Sequence, residues 1–300
     1  MFIICNMTGK VAPDTVSFYD RNSARHLPHA IKVVKITQHT HQHKFIACVS
    51  PLHSMFSDST QLIEWIELNR LLGIEKFIFY IHHISQKVLQ VLEYYERNGL
   101  LSLLPWNIPK YMAYHGSEVH YYGQLAALND CLYRYKGRSV FISSTDLDEF
   151  IIPQKLNHRT LSDMISELPA NSAYIVRSSF FRKNQACTKH GSCKNGITID
   201  TFNLRDNIIL PTHKRSKYIA KTSELTVMGI HFTWELHTGS EYTVKPEMAL
   251  VHHYRKINTR YTTKEPMKII HTVASKYSAN LKRNIKNVTV EIFYNSTGHG

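Results

Sequence analysis

The stretch "SVFISSTDLDEF" (139–150) joins a short apolar run to three carboxylates, Asp146, Asp148 and Glu149. The run "SVFIS" is typical of a buried strand. Ligands of parallel α/β sheets bind just beyond the carboxyl ends of their strands. If this strand belongs to such a sheet, the sequence predicts a ligand-facing acidic turn at its end.

The sequence before this stretch alternates apolar runs with amphipathic segments. Strands are predicted over 44–50, 76–81 and 100–106, and helices over 58–73, 85–99 and 120–137. Each of the three helical patterns stops at a glycine, which is a common residue just beyond a helix end. Strands alternating with helices of this length predict an α/β fold with a mostly parallel central sheet, covered on both faces.

Beyond residue 150 the pattern is less regular. A short helix is predicted over 160–169 and another helix over 263–281, while 172–181, 216–220, 225–236 and 248–255 read as β-strands. We therefore predict three segments: a poorly ordered lead-in (1–43), a catalytic domain (44–260), and a C-terminal helical extension with a tail (261–300).

The composition is that of a globular protein, with 300 residues, 43% of them hydrophobic and 20% charged. The formal net charge of +13 favours ligands that carry phosphate. The basic residues are dispersed rather than clustered in a tail, so we expect no nucleic-acid partner. No apolar run approaches the roughly 18 residues of a membrane span.

The five cysteines form no zinc-type CxxC pair. Cys187 and Cys193 flank the polar loop "CTKHGSC", where both a disulfide and two free thiols are open interpretations. The glycosylation triplets "NMT" at Asn6, "NVT" at Asn287 and "NST" at Asn295 favour a secreted glycoprotein.

Two aspartates one residue apart suit a hard divalent cation such as Mg²⁺ or Mn²⁺, which also binds phosphate oxygens. The main alternative is a phosphohydrolase of the haloacid dehalogenase type, in which the first aspartate is a nucleophile. Those enzymes carry the motif after their first strand, whereas here it follows the fourth. The other alternative is a solvated acidic turn without function.

A second constellation is "LVHHYR" (250–255), with His252 and His253 side by side. Neighbouring residues of a strand point to opposite faces of the sheet. One imidazole is therefore expected to reach a metal while the other packs or contacts substrate.

Five segments resemble glycosyltransferase family 92 and occur in that family's order: "SPLHSMFSDSTQLIEWIELNRLLGIEKFIFY", "YYGQLAALNDCLYRYKG", "DLDEFIIP", "HFTWEL" and "ALVHHYR". The resemblance spans roughly residues 44–256. It implies a GT-A-type fold, a nucleotide-sugar-binding αβα sandwich. It also implies a UDP-sugar donor, usually UDP-galactose, a divalent metal, typically Mn²⁺, and inverting transfer to a glycan such as an N-glycan.

The resemblance also implies roles for individual residues. Asp148 is expected to bind the metal and Asp146 the metal or the ribose, with His252 or His253 as a further metal ligand. Tyr122 and Gln124 are expected at the nucleoside. The basic residues expected at the diphosphate are Arg215, Lys217 and Arg255.

An inverting transfer needs a base that takes the proton of the acceptor hydroxyl. Glu235 in "HFTWEL" is the first candidate, beside Trp234, and Glu149 is the second.

Similar animal enzymes are type II Golgi membrane proteins, so the lumenal face of the Golgi is the expected location. The sequence given shows no such anchor, and membrane attachment is expected only through an anchor outside it. A phosphohydrolase and a catalytically inactive glycan-binding protein of the same fold are the alternative functions.

Overall fold

The structure is a computed structural model that describes residues 41–108, 119–183, 196–256 and 267–294, together with residues 11, 13–17, 19–20, 25–26 and 30–33. The chain forms two compact units, Met1–Thr40 and His41–Gly300. In the first unit, two-residue strands pair antiparallel, Thr15–Val16 with Ile31–Lys32 and Tyr19–Asp20 with Arg25–His26.

The second unit contains the strands and helices that form the core. Its strands are β1 (His43–Cys48), β2 (Lys76–Ile81), β3 (Leu101–Pro105), β4 (Ser139–Ser143), β5 (Glu149–Pro153), β6 (Ala173–Val176), β7 (Ser178–Arg182), β8 (Leu204–Asp206), β9 (Lys217–Lys221), β10 (Leu225–Met228), β11 (Thr233–Leu236), β12 (Glu241–Val244), β13 (Ala249–Arg255) and β14 (Lys268–Ile270). Its α-helices are α1 (Ser59–Leu71), α2 (Gln86–Arg97), α3 (Gln124–Tyr135), α4 (Leu161–Ser166), α5 (Thr198–Thr201) and α6 (Ser278–Phe293).

The central sheet has seven strands in the order β12-β6-β9-β4-β1-β2-β3. Strands β4, β1, β2 and β3 are parallel, as predicted. Strand β9 is inserted antiparallel between β4 and β6. Because it runs in the opposite direction, its first residue lies at the same edge of the sheet as the carboxyl end of β4.

Helices cover both faces of this sheet. Alternate residues of β1 point to opposite sides, Phe45 and Ala47 into the cluster that contains α1 and α2, Ile46 and Cys48 into the one that contains α3. Asp58 caps the N-terminus of α1, since its side chain accepts a hydrogen bond of 2.9 Å from the Gln61 backbone amide. The predicted α/β sandwich with a mostly parallel central sheet is thus confirmed.

A second, mixed sheet of five strands has the order β14-β8-β7-β13-β5. Strand β5 follows the acidic turn directly and pairs antiparallel with β13, so that Glu149 lies opposite His253. The two sheets therefore meet at the acidic turn.

The helix predicted over 263–281 is wrong for Lys268–Ile270. These residues instead form β14, paired antiparallel with Leu204–Asp206. The α-helix begins only at Ser278 and extends to Phe293. Its apolar face, Leu281, Val288 and Ile292, is buried in the same core cluster as α1 and α2.

A disulfide joins Cys48 at the end of β1 to Cys131 in α3. The sequence gives no pairing signal for these two residues, which are 83 positions apart and completely buried. The predicted alternatives for Cys187 and Cys193 lie outside the described residues. Within the described ranges, no helix combines the length and apolar character that crossing a bilayer requires.

Candidate active site

The acidic turn between β4 and β5 is fixed by its own backbone and by helix α1. The Glu149 amide donates to the Asp146 carbonyl at 3.0 Å. The buried indole of Trp65 donates to the same carbonyl at 3.0 Å. The side-chain amide of Gln61 donates to the Leu147 carbonyl at 3.0 Å. Helix α1 therefore holds the turn beyond the end of β4.

The Lys217 amine lies between two of the carboxylates. The side chain is 1% exposed, and its Nζ is 3.0 Å from Asp146 Oδ2 and 2.9 Å from Glu149 Oε2. The antiparallel direction of β9 brings its first residue to this edge of the sheet. The diphosphate role of Lys217 stays a prediction, and in this structure its amine contacts Asp146 and Glu149 of the acidic turn.

This pairing keeps both partners charged. Burial alone would raise the pKa of Glu149, but Lys217 and His253 outweigh it and lower the pKa to about 2. Burial alone would lower the pKa of Lys217, but Asp146 and Glu149 raise it above its ordinary value. Glu149 is therefore an ionised carboxylate that is 1% exposed, and it supports the turn from within.

His253 connects the second sheet to the acidic turn. Its Nδ1 is 3.0 Å from Glu149 Oε1 and its Nε2 is 3.4 Å from Asp148 Oδ2. The Tyr254 amide donates to the Asp148 carbonyl at 2.8 Å, which fixes the end of β13 against the turn. Burial would lower the pKa of His253, but Asp148 and Glu149 raise it to about 9.

His252 points to the other side of β13, as the alternation of a strand requires. Its ring is fully buried, stacks on Phe181 with 4.2 Å between ring centroids, and lies 3.3 Å from Gln154 Nε2 through its own Nε2. Burial holds its pKa well below the ordinary value. The structure brings His253 to the carboxylates and packs His252 inside the second sheet.

Among the described residues, no three Asp, Glu, His or Cys side chains are arranged to hold a metal ion. Two side chains, Asp148 and His253, bring ligand atoms together, and Glu149 lies against the other nitrogen of the histidine. The second nitrogen of a metal-binding histidine commonly faces a carboxylate, and Glu149 is the ion-pair partner on that side of His253. The donor set fits a cation whose other positions are filled by phosphate oxygens and water.

Tyr122 and Gln124 lie at the start of α3, at the carboxyl end of β1. Gln124 Nε2 donates to Ser50 Oγ at 2.6 Å. The Tyr122 ring stacks on His53 with 4.0 Å between centroids, and its carbonyl accepts a bond of 2.8 Å from Trp106 Nε1. Tyr122 has a left-handed φ of 55°, which is costly for a residue other than glycine and is frequent at ligand sites.

The two arginines predicted at the diphosphate lie in different surroundings. Arg255 ends β13, two residues after His253, and its guanidinium lies 5.5 Å from the centre of the Phe180 ring. The same Phe180 ring contacts His253 edge-on. Arg215 lies exposed in the turn before β9, with a left-handed φ of 55°.

The two residues predicted as bases lie in different surroundings. Glu149 is buried between Lys217 and His253. Glu235 is exposed on β11, where its charge acts on Tyr133 of α3, and neighbouring Trp234 is 52% exposed. Sequence reasoning missed another residue, His231, whose Nδ1 lies 3.3 Å from the carbonyl of Ser216, the residue before Lys217. The signal was present, because His231 opens the same "HFTWEL" segment.

Sequence comparison relates this chain to known proteins. Beta-1,4-galactosyltransferase galt-1 of Caenorhabditis elegans is 34% identical over 135 residues, which are 44% of this chain and 31% of that protein. The glycosyltransferase family 92 protein F13G3.3 of the same organism is 26% identical over 219 residues, 71% of this chain and 42% of that protein. The Arabidopsis thaliana galactan beta-1,4-galactosyltransferase GALS3 is 23% identical over 230 residues, 75% and 44% of the two chains. This chain thus spans less than half the length of these relatives.

Among solved structures, S. aureus TarS (residues 1–349) in complex with UDP aligns with a TM-score of 0.41 at 13% identity, covering 82% of this chain and 65% of that one.

The sequence model of glycosyltransferase family 92 matches residues 43–289, which include both sheets, the acidic turn and most of α6. The expected α/β fold with a mostly parallel central sheet is the one observed. The chain belongs to glycosyltransferase family 92.

Proposed function

We propose that this chain transfers a hexose, in the first place galactose from UDP-galactose, to a hydroxyl group of a glycan acceptor, with inversion and with the help of Mn²⁺. One observation carries the proposal: in a member of family 92, Asp148 and His253 converge at the carboxyl edge of the central sheet. Galactose as the sugar is supported by the names of relatives in two kingdoms, which are galactosyltransferases.

Asp148 and His253 would hold the cation. When bound, a divalent metal neutralises the charge that builds on a leaving diphosphate. Glu149 orients His253, and Lys217 neutralises Glu149 and Asp146 so that the turn keeps its geometry without a second metal. Asp146 would contact the donor ribose through its second carboxylate oxygen, the one that is not paired with Lys217.

The nucleoside of the donor would lie at the start of α3, where Tyr122 offers an aromatic ring and Gln124 an amide. Arg255 would bind the diphosphate, because a guanidinium binds phosphate oxygens through two parallel hydrogen bonds. It sits on the same strand end as His253, which places it on the side of the turn where the metal would be.

The lumenal side of the Golgi is the compartment we propose. A buried disulfide between Cys48 and Cys131 is typical of proteins that mature in an oxidising compartment.

Calorimetric titration of UDP into the chain, with Mn²⁺ or with a chelator, tests the proposal. Wild type should bind UDP in Mn²⁺ and bind it at least tenfold more weakly in the chelator, and Asp148→Asn should remove that difference. The matched control is Asp130→Asn, which should bind UDP like wild type. Asp130 belongs to α3, and its carboxylate pairs with Arg134 on the surface. Equal affinity with and without metal would refute the metal role.

A donor screen then tests the reaction itself. Released UDP is measured with UDP-galactose, UDP-glucose and UDP-N-acetylglucosamine, each with a panel of glycans. We expect the largest rate with UDP-galactose, and the anomeric configuration of the product, read by nuclear magnetic resonance, should be inverted.

A further inference from the structure

His231 lies in the loop between β10 and β11, against Ser216, the residue that precedes Lys217. The hairpin is anchored on α3, where the Asn129 side chain bonds both the amide and the carbonyl of Met228, at 2.8 and 3.0 Å. The Tyr218 hydroxyl of β9 donates to the Gly229 carbonyl at 2.9 Å. These contacts hold the loop rigidly beside the first residue of β9.

The imidazole of His231 is oriented by the residue that precedes Lys217. Its Nδ1 lies 3.3 Å from the Ser216 carbonyl, which can only accept, so Nδ1 carries the proton. The lone pair is then on Nε2, for which the described parts of the chain provide no hydrogen-bond donor. The side chain as a whole is half-buried.

The charged groups around His231 suit a proton acceptor. Burial and the positive charge of Lys217 lower its pKa below the ordinary value, so the ring is neutral at neutral pH. Glu149 and Asp146 act in the opposite direction and would stabilise the imidazolium once a proton has been taken up.

The three carboxylates of the acidic turn already have partners in Lys217 and His253. Glu149 is buried between two cations, Asp146 is paired with Lys217, and Asp148 lies against His253. Glu235, on the same hairpin, is exposed beside Tyr133 rather than at the turn. Among the described groups around the turn, His231 is a neutral base whose Nε2 lone pair has no hydrogen-bond donor among the described residues.

We propose that His231 is the general base of the transfer, and this inference rests on the proposed function. Nε2 takes the proton of the acceptor hydroxyl while that oxygen forms its bond to the anomeric carbon. The bond from the anomeric carbon to the diphosphate oxygen breaks, and its electron pair leaves with UDP. The proton on Nε2 is afterwards lost to water.

The test uses His231→Asn, His231→Gln and Glu235→Gln in the full chain. Asparagine keeps a donor near the position of Nδ1 and so preserves the bond to Ser216, while it removes the base at Nε2. We expect both histidine variants to lower kcat by a factor of roughly 10² to 10⁴, the usual contribution of a general base. Affinity for UDP with Mn²⁺ should stay within twofold of wild type, and Glu235→Gln should keep wild-type kcat.

The pH profile distinguishes a base from a merely structural histidine. In wild type, kcat/KM should fall on the acid side as His231 becomes protonated, and both histidine variants should lack that fall. If turnover persists in His231→Asn, or is lost in Glu235→Gln instead, His231 is not the base. The proposed function is not affected by that result. Wild-type chain that binds UDP but turns over no UDP-hexose overturns the proposed function and the base with it.

Discussion

The Glu149 carboxylate is 1% exposed and is surrounded by cations from both sheets, Lys217 from the central sheet and His253 from the second. An ionised carboxylate removed from water is tolerated only when its oxygens are paired. Here each oxygen has a partner at about the same distance, 2.9 Å to Lys217 Nζ and 3.0 Å to His253 Nδ1. The electrostatics of this one residue therefore join the two sheets.

Lys217→Met should lower the free energy of unfolding by roughly 3–5 kcal/mol, because it leaves a buried carboxylate unpaired on one side. Lys221→Met is the control on the same strand. Lys221 pairs with Glu224 at 2.9 Å but is 30% exposed, so its loss should cost less than about 1 kcal/mol. Guanidinium unfolding of both variants measures the difference, and equal losses would show that the Lys217 pair adds nothing beyond a surface ion pair.

The raised pKa of His253 should make the free energy of unfolding depend on pH when no metal is bound. Its folded pKa, about 9, lies above the ordinary value of 6.5 because of Asp148 and Glu149. The stabilisation is complete below about pH 6.5 and is lost as the pH rises through about 9. With a chelator present, the free energy of unfolding should fall by roughly 2–3 kcal/mol between these pH values.

The control for this pH dependence is His253→Gln, since other groups also titrate in the same range. The variant should show a flatter dependence over that range. Parallel curves for wild type and variant would mean that the imidazole is neutral in the folded protein.

Sequence pattern predicts some of these residues and not others. The alternation of a strand predicts that His252 and His253 face opposite ways, but it does not say which face carries the site. The partners of Lys217 depend on an antiparallel strand inserted between two distant strands, which no local pattern encodes. In the segment "HFTWEL", sequence reasoning selects Glu235 as the base because of its carboxylate. It does not select His231, because the surroundings of His231 depend on its position in the hairpin loop.

At the scale of elements, apolar runs bounded by glycine predict the first half of the fold closely; the strand predicted over 76–81 is observed at Lys76–Ile81. The helix predicted over 263–281 includes Lys268–Ile270, which form strand β14 instead. Its partner strand, Leu204–Asp206, lies about sixty residues earlier in the chain, and pairing with it overrides the local preference.

The disulfide connects two such elements, strand β1 and helix α3, across the second core cluster. Removing a native disulfide typically costs about 2–5 kcal/mol, with long loops such as this one toward the upper end. We expect a reductant to lower the melting temperature of wild type by several degrees. Cys48→Ala/Cys131→Ala should melt at the lower temperature already and should not respond to reductant.

If the reductant still lowers the melting temperature of this double variant, the remaining cysteines are responsible for the change. Cys187 and Cys193, for which a disulfide and free thiols are both open, are the residues to substitute next.

At the scale of the whole molecule, α6 is part of the core rather than an appendage. The Asn284 side chain donates to Glu67 at 3.1 Å, and the same buried carboxylate of α1 accepts from Tyr95 of α2 at 2.7 Å. Tyr94 of α2 also bonds Glu291 of α6. The first unit, Met1–Thr40, has only two-residue strands within its described residues, and the family match begins after it, at residue 43.

These observations predict opposite effects for two deletions. The buried apolar residues of the described chain all lie between Phe45 and Ile292, so removal of residues 1–40 should leave the cooperativity of unfolding and the metal-dependent affinity for UDP within experimental error of the full chain. Removal of residues 278–300 should abolish cooperative unfolding, because it exposes the apolar surface of α1 and α2 and leaves Glu67 without one of its partners. Circular dichroism during guanidinium unfolding, with UDP titration, measures both. A shorter chain that ends at Tyr277 and still unfolds cooperatively would mean that α6 covers the core without being needed to form it.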